Sequence, residues 1–327
     1  MDNFLVLINI VLIIFNNLFR VYHFQDPQSR ILCTVYTLCY NGLMDLTSSK
    51  DLKELLSKYE ARPSKGLGQN FLIDKNVLDK IITASDIKPD DVILEVGPGL
   101  GTLTQELSKT AKKVIAIEKD SKMTKILAET LKDYKNIEII SSDILKFNFA
   151  DYSLLTTNYK LIANIPYYLT SPLIRKFLEA DNPPTEIVLM LQKEVAQRIC
   201  AKPPKMSLLA VSVQFYADAK IFSYVSKNCF WPAPKVDSAI IKIIPRAPVI
   251  ARSQQATWQS REFSGLFFKI VKAGFSQPRK QLAGNLSKAL KIKKTEVESW
   301  LAKSGIKPAQ RAETLSVEDW KNLANSI

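Results

Sequence analysis

Apolar residues in this chain gather into short, β-branched runs separated by helix-length amphipathic stretches. Val92-Ile93-Leu94-Glu95-Val96 is apolar on both faces apart from one acid, the pattern of a strand buried in a parallel sheet. Gly97-Pro98-Gly99-Leu100-Gly101 follows at once, and Thr102 to Leu107 reads as the start of a helix. The theme repeats in Lys113–Ile117 ending at Glu118, in Ile137–Ile140 running into Ser141-Ser142-Asp143, and in Leu161-Ile162-Ala163 ending at Asn164. Helix-length segments such as 121–131 lie between these strands. The alternation β-α-β-α-β predicts an α/β fold built on a parallel sheet. Further on, Phe263, Leu266, Phe267, Ile270 and Val271 recur at i, i+3, i+4, i+7 and i+8, an amphipathic helix. Thr295-x-x-Glu298 predicts a helix start with a capping box, and Ser316-x-x-Asp319 a weaker variant. The periodicities predict a sheet domain over 44–250 and a small all-helical domain over 251–327, joined by a linker near Pro245–Gln255.

Composition narrows the chemistry. The 327 residues suffice for about two domains, and 46% apolar content can supply their cores. The four cysteines form no C-x-x-C pair and the single histidine is His23. That excludes a zinc ribbon, a His-based triad or a multi-histidine metal centre in the body of the chain, and no metal site is expected. A net charge of +13 points to a polyanionic partner, nucleic acid foremost. Residues 251–327 carry 14 basic and 6 acidic side chains, a net +8, so the basic face of the helical module is placed to grip phosphates. Its candidate contacts include Arg279 and Lys280 of Gln277-Pro278-Arg279-Lys280, where Pro278 is tolerable if it opens a helix.

The first 43 residues stand apart. No Lys or Glu occurs before Lys50, and an apolar run extends from Phe4 to Phe15 with only Asn9 interrupting it. The run is short for a membrane span, and only Met1, Asp2 and Asn3 precede it, so the positive start of a secretory signal is missing. An anchor, a targeting peptide and a start assigned too far upstream, with Met44 opening the working protein, are the competing expectations. The last is favoured because the composition changes at Met44. Peptides from residues 1–43 in protein from the native source would contradict it.

The strand ends carry the candidate chemistry. Glycines at a strand-to-helix turn permit tight backbone conformations and close approach of a ligand. Glu118, 21 residues after Gly97, lies at the end of the second strand, where a carboxylate can accept from both hydroxyls of a ribose. Asp143, after the third, can accept from an adenine amine. A nucleoside-containing cofactor is expected. The pyrophosphate fingerprint G-x-G-x-x-G would need glycine at 102, which is Thr. This leans toward S-adenosylmethionine over NAD without excluding the latter. Asn164-Ile165-Pro166-Tyr167 adds a carboxamide and a neighbouring main-chain carbonyl, two acceptors for a planar amine. Accepting both N–H groups favours a pyramidal nitrogen with its lone pair free to attack. Tyr167 offers a face for stacking a base.

The chain resembles the ribosomal RNA adenine dimethyltransferases that act on small-subunit rRNA. The resemblance runs from about Arg62 to the C-terminus and is carried by Gly68-Gln69-Asn70-Phe71-Leu72, Glu95–Gly101, Asn164-Ile165-Pro166-Tyr167-Tyr168, Leu191–Arg198 and Phe230–Ser238. It implies a Rossmann-like methyltransferase sheet, S-adenosylmethionine as cofactor, and N6,N6-dimethylation of two adjacent adenosines in a 3′-terminal hairpin loop. The partner it implies is rRNA within a precursor 30S-type particle, met in the cytoplasm by a monomer with no stable membrane partner. It further implies that Asn70 and Leu72 touch the cofactor and that Gly97 lies under its methionine part, with Gly99, Ile144 and Asn164 also binding the cofactor. Glu118 would hold the ribose and Asp143 the adenine amine. Asn164 and Pro166 would orient the target amine, and Tyr167 and Phe230 would sandwich the base. The sequence departs from the family at Pro278, where Arg is common, which puts one phosphate contact in doubt. A loop at 65–72 is expected to close over cofactor and RNA.

Three rivals differ in class. A macrolide-resistance methyltransferase acting on large-subunit rRNA would share sheet and pocket, and the Phe230–Ser238 segment speaks against it. A non-catalytic assembly factor would have no need of Asn164-Ile165-Pro166-Tyr167. An NAD oxidoreductase is disfavoured by the glycine spacing.

Overall fold

A computed structural model describes residues 45–64, 66–149, 158–246 and 254–326, the stretch 254–261 as helix without its side chains. The questions raised by residues 1–43 lie outside the described residues. Helix α1 (Ser49–Lys58) precedes a short strand β1 (Phe71–Leu72) and helix α2 (Lys75–Ser85). Then come β2 (Val92–Val96), α3 (Thr102–Ser108), β3 (Lys113–Glu118), α4 (Ser121–Thr130), β4 (Ile137–Ser141) and β5 (Lys160–Asn164). The sheet domain is completed by α5 (Thr170–Leu178), β6 (Glu186–Gln192), α6 (Lys193–Ile199), α7 (Leu208–Tyr216), β7 (Ala217–Val225), β8 (Phe230–Trp231) and β9 (Ser238–Pro245). Helices α8 (Gln254–Gly274), α9 (Leu282–Leu290), α10 (Lys294–Lys303) and α11 (Val317–Asn325) follow.

Seven strands form one sheet in the order β4-β3-β2-β5-β6-β9-β7. β4, β3, β2, β5 and β6 run parallel, while β9 is antiparallel to both β6 and β7. The expected α/β, Rossmann-like sheet is present, with a mixed edge where β7 and β9 are antiparallel neighbours and need no crossover helix. Strand order reverses between β2 and β5, which opens a crevice at the carboxyl ends of those strands. Both faces are covered. Leu94, Val96, Ile115, Leu161 and Ile187 face one hydrophobic layer, and Ile93, Val114, Ile162 and Val188 the other. The continuous apolar runs of β2 and β3 follow from burial on both sides. A separate two-stranded ladder pairs β1 with β8, Phe71 opposite Trp231 and Leu72 opposite Phe230.

Local capping explains several helix starts. Asp74 accepts from Val77 N (3.1 Å) ahead of α2, Asp120 from Lys122 N (2.9 Å) ahead of α4, and Ser207 from Ala210 N (3.1 Å) ahead of α7. At α11 the reciprocal box is complete, with Asp319 N donating to Ser316 Oγ (3.1 Å) and Ser316 N to Asp319 Oδ2 (2.8 Å), stronger than the sequence suggested. The box at Thr295 does not form. α10 begins at Lys294 with Lys293 as its cap residue and no side-chain cap, so Thr295 already sits inside the first turn. Pro278 opens no helix either: it lies in the turn between α8 and α9. Pro245 belongs to β9 rather than to a linker, and α8 is already helical at Gln254.

The helical part shares its core with the sheet part. Met206, Ala210 and Val211, on and before α7, are buried with Phe267, Ile270, Val271, Leu286, Leu301 and Trp320. Phe215 on α7 lies 4.2 Å, ring centre to ring centre, from Phe267 on α8. Residues 46–327 form one compact unit.

Candidate functional site

The crevice beside β2 and β5 collects the strand-end residues. One cavity is lined by Gly68–Leu72, Glu95–Leu100, Glu118, Asp143, Ile144, Asn164–Leu169 and Phe230. Every sequence-predicted cofactor and base residue is therefore in one place: Asn70, Leu72, Gly97, Gly99, Glu118, Asp143, Ile144, Asn164, Pro166, Tyr167 and Phe230. Arg279 and Lys280 are not in it. They sit exposed in the α8–α9 turn, beside a second cavity lined also by Lys288, Lys294 and Arg311.

The floor is the turn after β2. Gly97 and Gly99 adopt φ of +68° and +61°, a region that disfavours side chains, and a Cβ at Gly99 would stand 3.2 Å from the Phe71 ring. Gly99 N donates to Glu118 Oε2 (3.2 Å) and Asp120 N to Glu118 Oε1 (2.8 Å). The acid is thereby oriented at the lip of β3 with only 7% of its surface exposed. Burial, its chief perturbation, holds the Glu118 carboxyl above the ordinary carboxylate range. Asp143 shows the opposite shift. Lys119 Nζ bonds its Oδ2 at 3.0 Å and Leu145 N its Oδ1 at 3.0 Å, and the lysine above all holds this carboxyl below its usual value.

The sequence assigned no role to Glu95. On β2 it is 1% exposed, and among the described residues neither its Oε2 nor the Oγ of buried Thr104 makes a well-formed hydrogen bond, although the Thr104 hydroxyl is near enough to favour the ionised form. Burial, opposed by Thr104 and reinforced by Glu118, pushes its carboxyl up to about 8. Protonated at neutral pH, this carboxyl can both donate to and accept from a ligand in the cavity. The run Val92–Val96 signalled a core strand. The one acid within it was the signal that a ligand-facing position was present.

Asn164 ends β5. Its Nδ2 donates to the Asn70 carbonyl at 3.5 Å, which turns Oδ1 away from that carbonyl. The Pro166 carbonyl accepts from Leu169 N (2.9 Å), so one of its lone pairs is still available. The Tyr167 hydroxyl bonds buried Ser238 Oγ at 2.9 Å, and Thr170 Oγ donates to the Tyr167 carbonyl at 3.0 Å. Together these fix the ring at the cavity edge. Phe230, 4% exposed, is held opposite Leu72 by the β1–β8 ladder. The ladder went unread in the sequence because two-residue strands have no periodicity to detect.

Comparison with known proteins gives a consistent picture. The profile of the family described as ribosomal RNA adenine dimethylase matches residues 61–327. A ribosomal RNA small subunit methyltransferase A from Dehalococcoides mccartyi is 47% identical over 272 residues, 83% of this chain and 90% of the relative. A protein of the same description from Clostridioides difficile is 41% identical over 291 residues, covering 86% and 96%. Among solved structures, a dimethyladenosine transferase from Plasmodium falciparum aligns with a TM-score of 0.62 at 28% identity, covering 77% of this chain and 95% of its own. The 23S rRNA methyltransferase ErmE aligns with the same TM-score at 26% identity, covering 79% and 99%.

Proposed function

The chain belongs to the ribosomal RNA adenine dimethylase family, and from that premise we propose its reaction: S-adenosylmethionine-dependent N6,N6-dimethylation of two adjacent adenosines in the 3′-terminal hairpin loop of small-subunit rRNA. The observation that carries this reading is the convergence of Glu118, Asp143, the Gly97 turn, Asn164 and Phe230 on one crevice at the switch point of the sheet. The small-subunit substrate is supported by relatives at 41–47% identity. A large-subunit enzyme has the same fold similarity but lower identity.

S-adenosylmethionine, when bound, supplies a methyl group on a sulfonium that is already activated for departure. The residues present suit it. Glu118 would hold the ribose, Asp143 the adenine amine with Ile144 beside it, and Asn70, Leu72, Gly97 and Gly99 the methionine side, where Glu95 would add a buried carboxyl. Asn164 Oδ1 and the Pro166 carbonyl accept the two N–H bonds of the target amine. They favour the pyramidal nitrogen that attack requires and the positive charge that develops on it. Tyr167 and Phe230 hold the extruded base between them, which is easier for an adenine in an unstacked loop than for one in a duplex. The proton leaves to water after attack, so proximity and orientation do most of the catalytic work and a dedicated base is not needed. Arg279 and Lys280 contact rRNA phosphates of a precursor small-subunit particle, and a monomer acting in the cytoplasm suffices.

The test is incubation of the enzyme with labelled S-adenosylmethionine and unmethylated small subunits, followed by nucleoside analysis. Dimethyladenosine is expected, and Asn164→Ala should abolish it while leaving the chain folded and able to bind the cofactor. Label in large-subunit RNA instead, or an active Asn164→Ala variant, would overturn the proposal.

A further inference from the structure

Gln69 lines the same cavity, between its ribose-side and catalytic residues, and has no role in the proposed reaction. Its Oε1 accepts from Ser64 N (2.8 Å), its Nε2 donates to Asp120 Oδ2 (2.9 Å), and its own N–H donates to the Ser64 carbonyl (3.1 Å). Both ends of this carboxamide are thereby matched, which fixes its orientation. Asp120 is tied in turn to the ribose side, because its N–H donates to Glu118 Oε1 (2.8 Å) while its Oδ1 caps α4. On the other side Gln69 is joined through the chain to Asn70. The Asn70 side chain closes back on the Gly68 carbonyl (3.0 Å), and its main-chain carbonyl is the acceptor for Asn164 Nδ2 (3.5 Å).

We infer that Gln69 is a positioning residue which, through the Asn70 carbonyl, sets which end of the Asn164 carboxamide faces the target amine. An asparagine amide can turn over, and only one of its two orientations presents an acceptor to the base. At 3.5 Å the Asn70 carbonyl contributes little binding energy. What it supplies is a choice: an oxygen beside Asn164 selects the amide nitrogen as neighbour and directs Oδ1 into the cleft. That oxygen stays in place only while residues 68–72 are pinned, and Asp120 is the pin. The inference rests on the reading of Asn164 as the acceptor for the target amine.

The experiment uses the full chain, labelled S-adenosylmethionine and unmethylated small subunits. Gln69→Glu keeps the shape of the side chain but replaces the donor with an acceptor that Asp120 repels. The double variant Gln69→Glu/Asp120→Asn restores a donor–acceptor pair in reverse and keeps a good helix cap. At saturating cofactor and RNA, Gln69→Glu should lower kcat at least tenfold. The double variant should recover it to within about threefold of the parent, and the thermal midpoints of the three proteins should stay close. A segment with a merely structural role would lose thermal stability or cofactor affinity and keep its saturated kcat. That result, or failure of Asp120→Asn to rescue while the double variant remains folded, overturns the inference. Asn164→Ala is assayed alongside: if it is active, the underlying reading falls and the inference with it, whereas a silent Asn164→Ala beside an unaffected Gln69→Glu removes the inference alone.

Discussion

Glu95 keeps a carboxyl, 1% exposed, in the wall of the cleft beside the buried Thr104 hydroxyl. Its pKa is raised from 4.5 to about 8, so the folded protein holds this proton over a range in which the unfolded chain has released it. The sign follows: its contribution to stability is full below about pH 4.5 and is lost as the pH climbs through about 8. Glu95→Gln, neutral throughout, should therefore gain on the parent steadily between pH 5 and pH 8 in denaturant midpoint. Parallel pH profiles for the two proteins would refute this. Glu118, Asp143 and Asn164 were legible in the sequence because each follows an apolar run, and strand ends are where an α/β sheet meets its ligand. Glu95 and Gln69 were visible in quoted motifs but had no assigned roles. One looked like part of a core strand, and the other takes its meaning from Asp120, 51 positions away.

Between elements, the turn from α8 to α9 shows how a buried amide can support an exposed basic patch. Asn285 Nδ2 donates to the carbonyls of Gly274 (2.7 Å) and Gln277 (2.9 Å), bracketing the turn that carries Arg279 and Lys280. Asn285→Ala should destabilise the protein by about 2 kcal/mol, the cost of leaving buried carbonyls without a donor. It should also weaken binding to small subunits more than binding to S-adenosylmethionine, measured by calorimetry on each. At α11, Ser316→Ala removes the hydroxyl arm of the capping box, the acceptor for Asp319 N, and keeps the main-chain arm to Asp319 Oδ2; it should cost about 1 kcal/mol in a denaturation experiment. Of the elements, the β-α-β alternation was readable because long buried strands and amphipathic helices have distinct periods. β7 and β9 were not read as strands, although β7 alternates exposed and less exposed positions and β9 is an apolar, mostly buried run; strands were read only as far as β5, and the irregularity near Phe222 is visible only in the pairing. The Thr295 box misled because an S/T-x-x-E match is blind to where Val297 and Leu301 must face to be buried.

For the molecule as a whole, the charge of +13 makes association with RNA depend on released counterions. Arg279→Ala and Lys280→Ala should each lower affinity for small subunits about equally across RNA variants and flatten the dependence on salt by about one in log–log slope. A slope that does not change would remove these two residues from the interface. The boundary near residue 250 was drawn from composition and periodicity, and neither can register that α7 lends Met206, Ala210 and Val211 to the helical core. A chain ending at 250 would leave that face bare and should aggregate rather than yield a free catalytic domain, as size-exclusion chromatography would report. The packing of Phe215 against Phe267 has one more consequence. Because α7 packs into both the sheet core and the helical core, the proposed phosphate contacts and the proposed amine site would be held at a fixed span, and on that reading only RNA whose two landmarks lie that far apart would reach both at once.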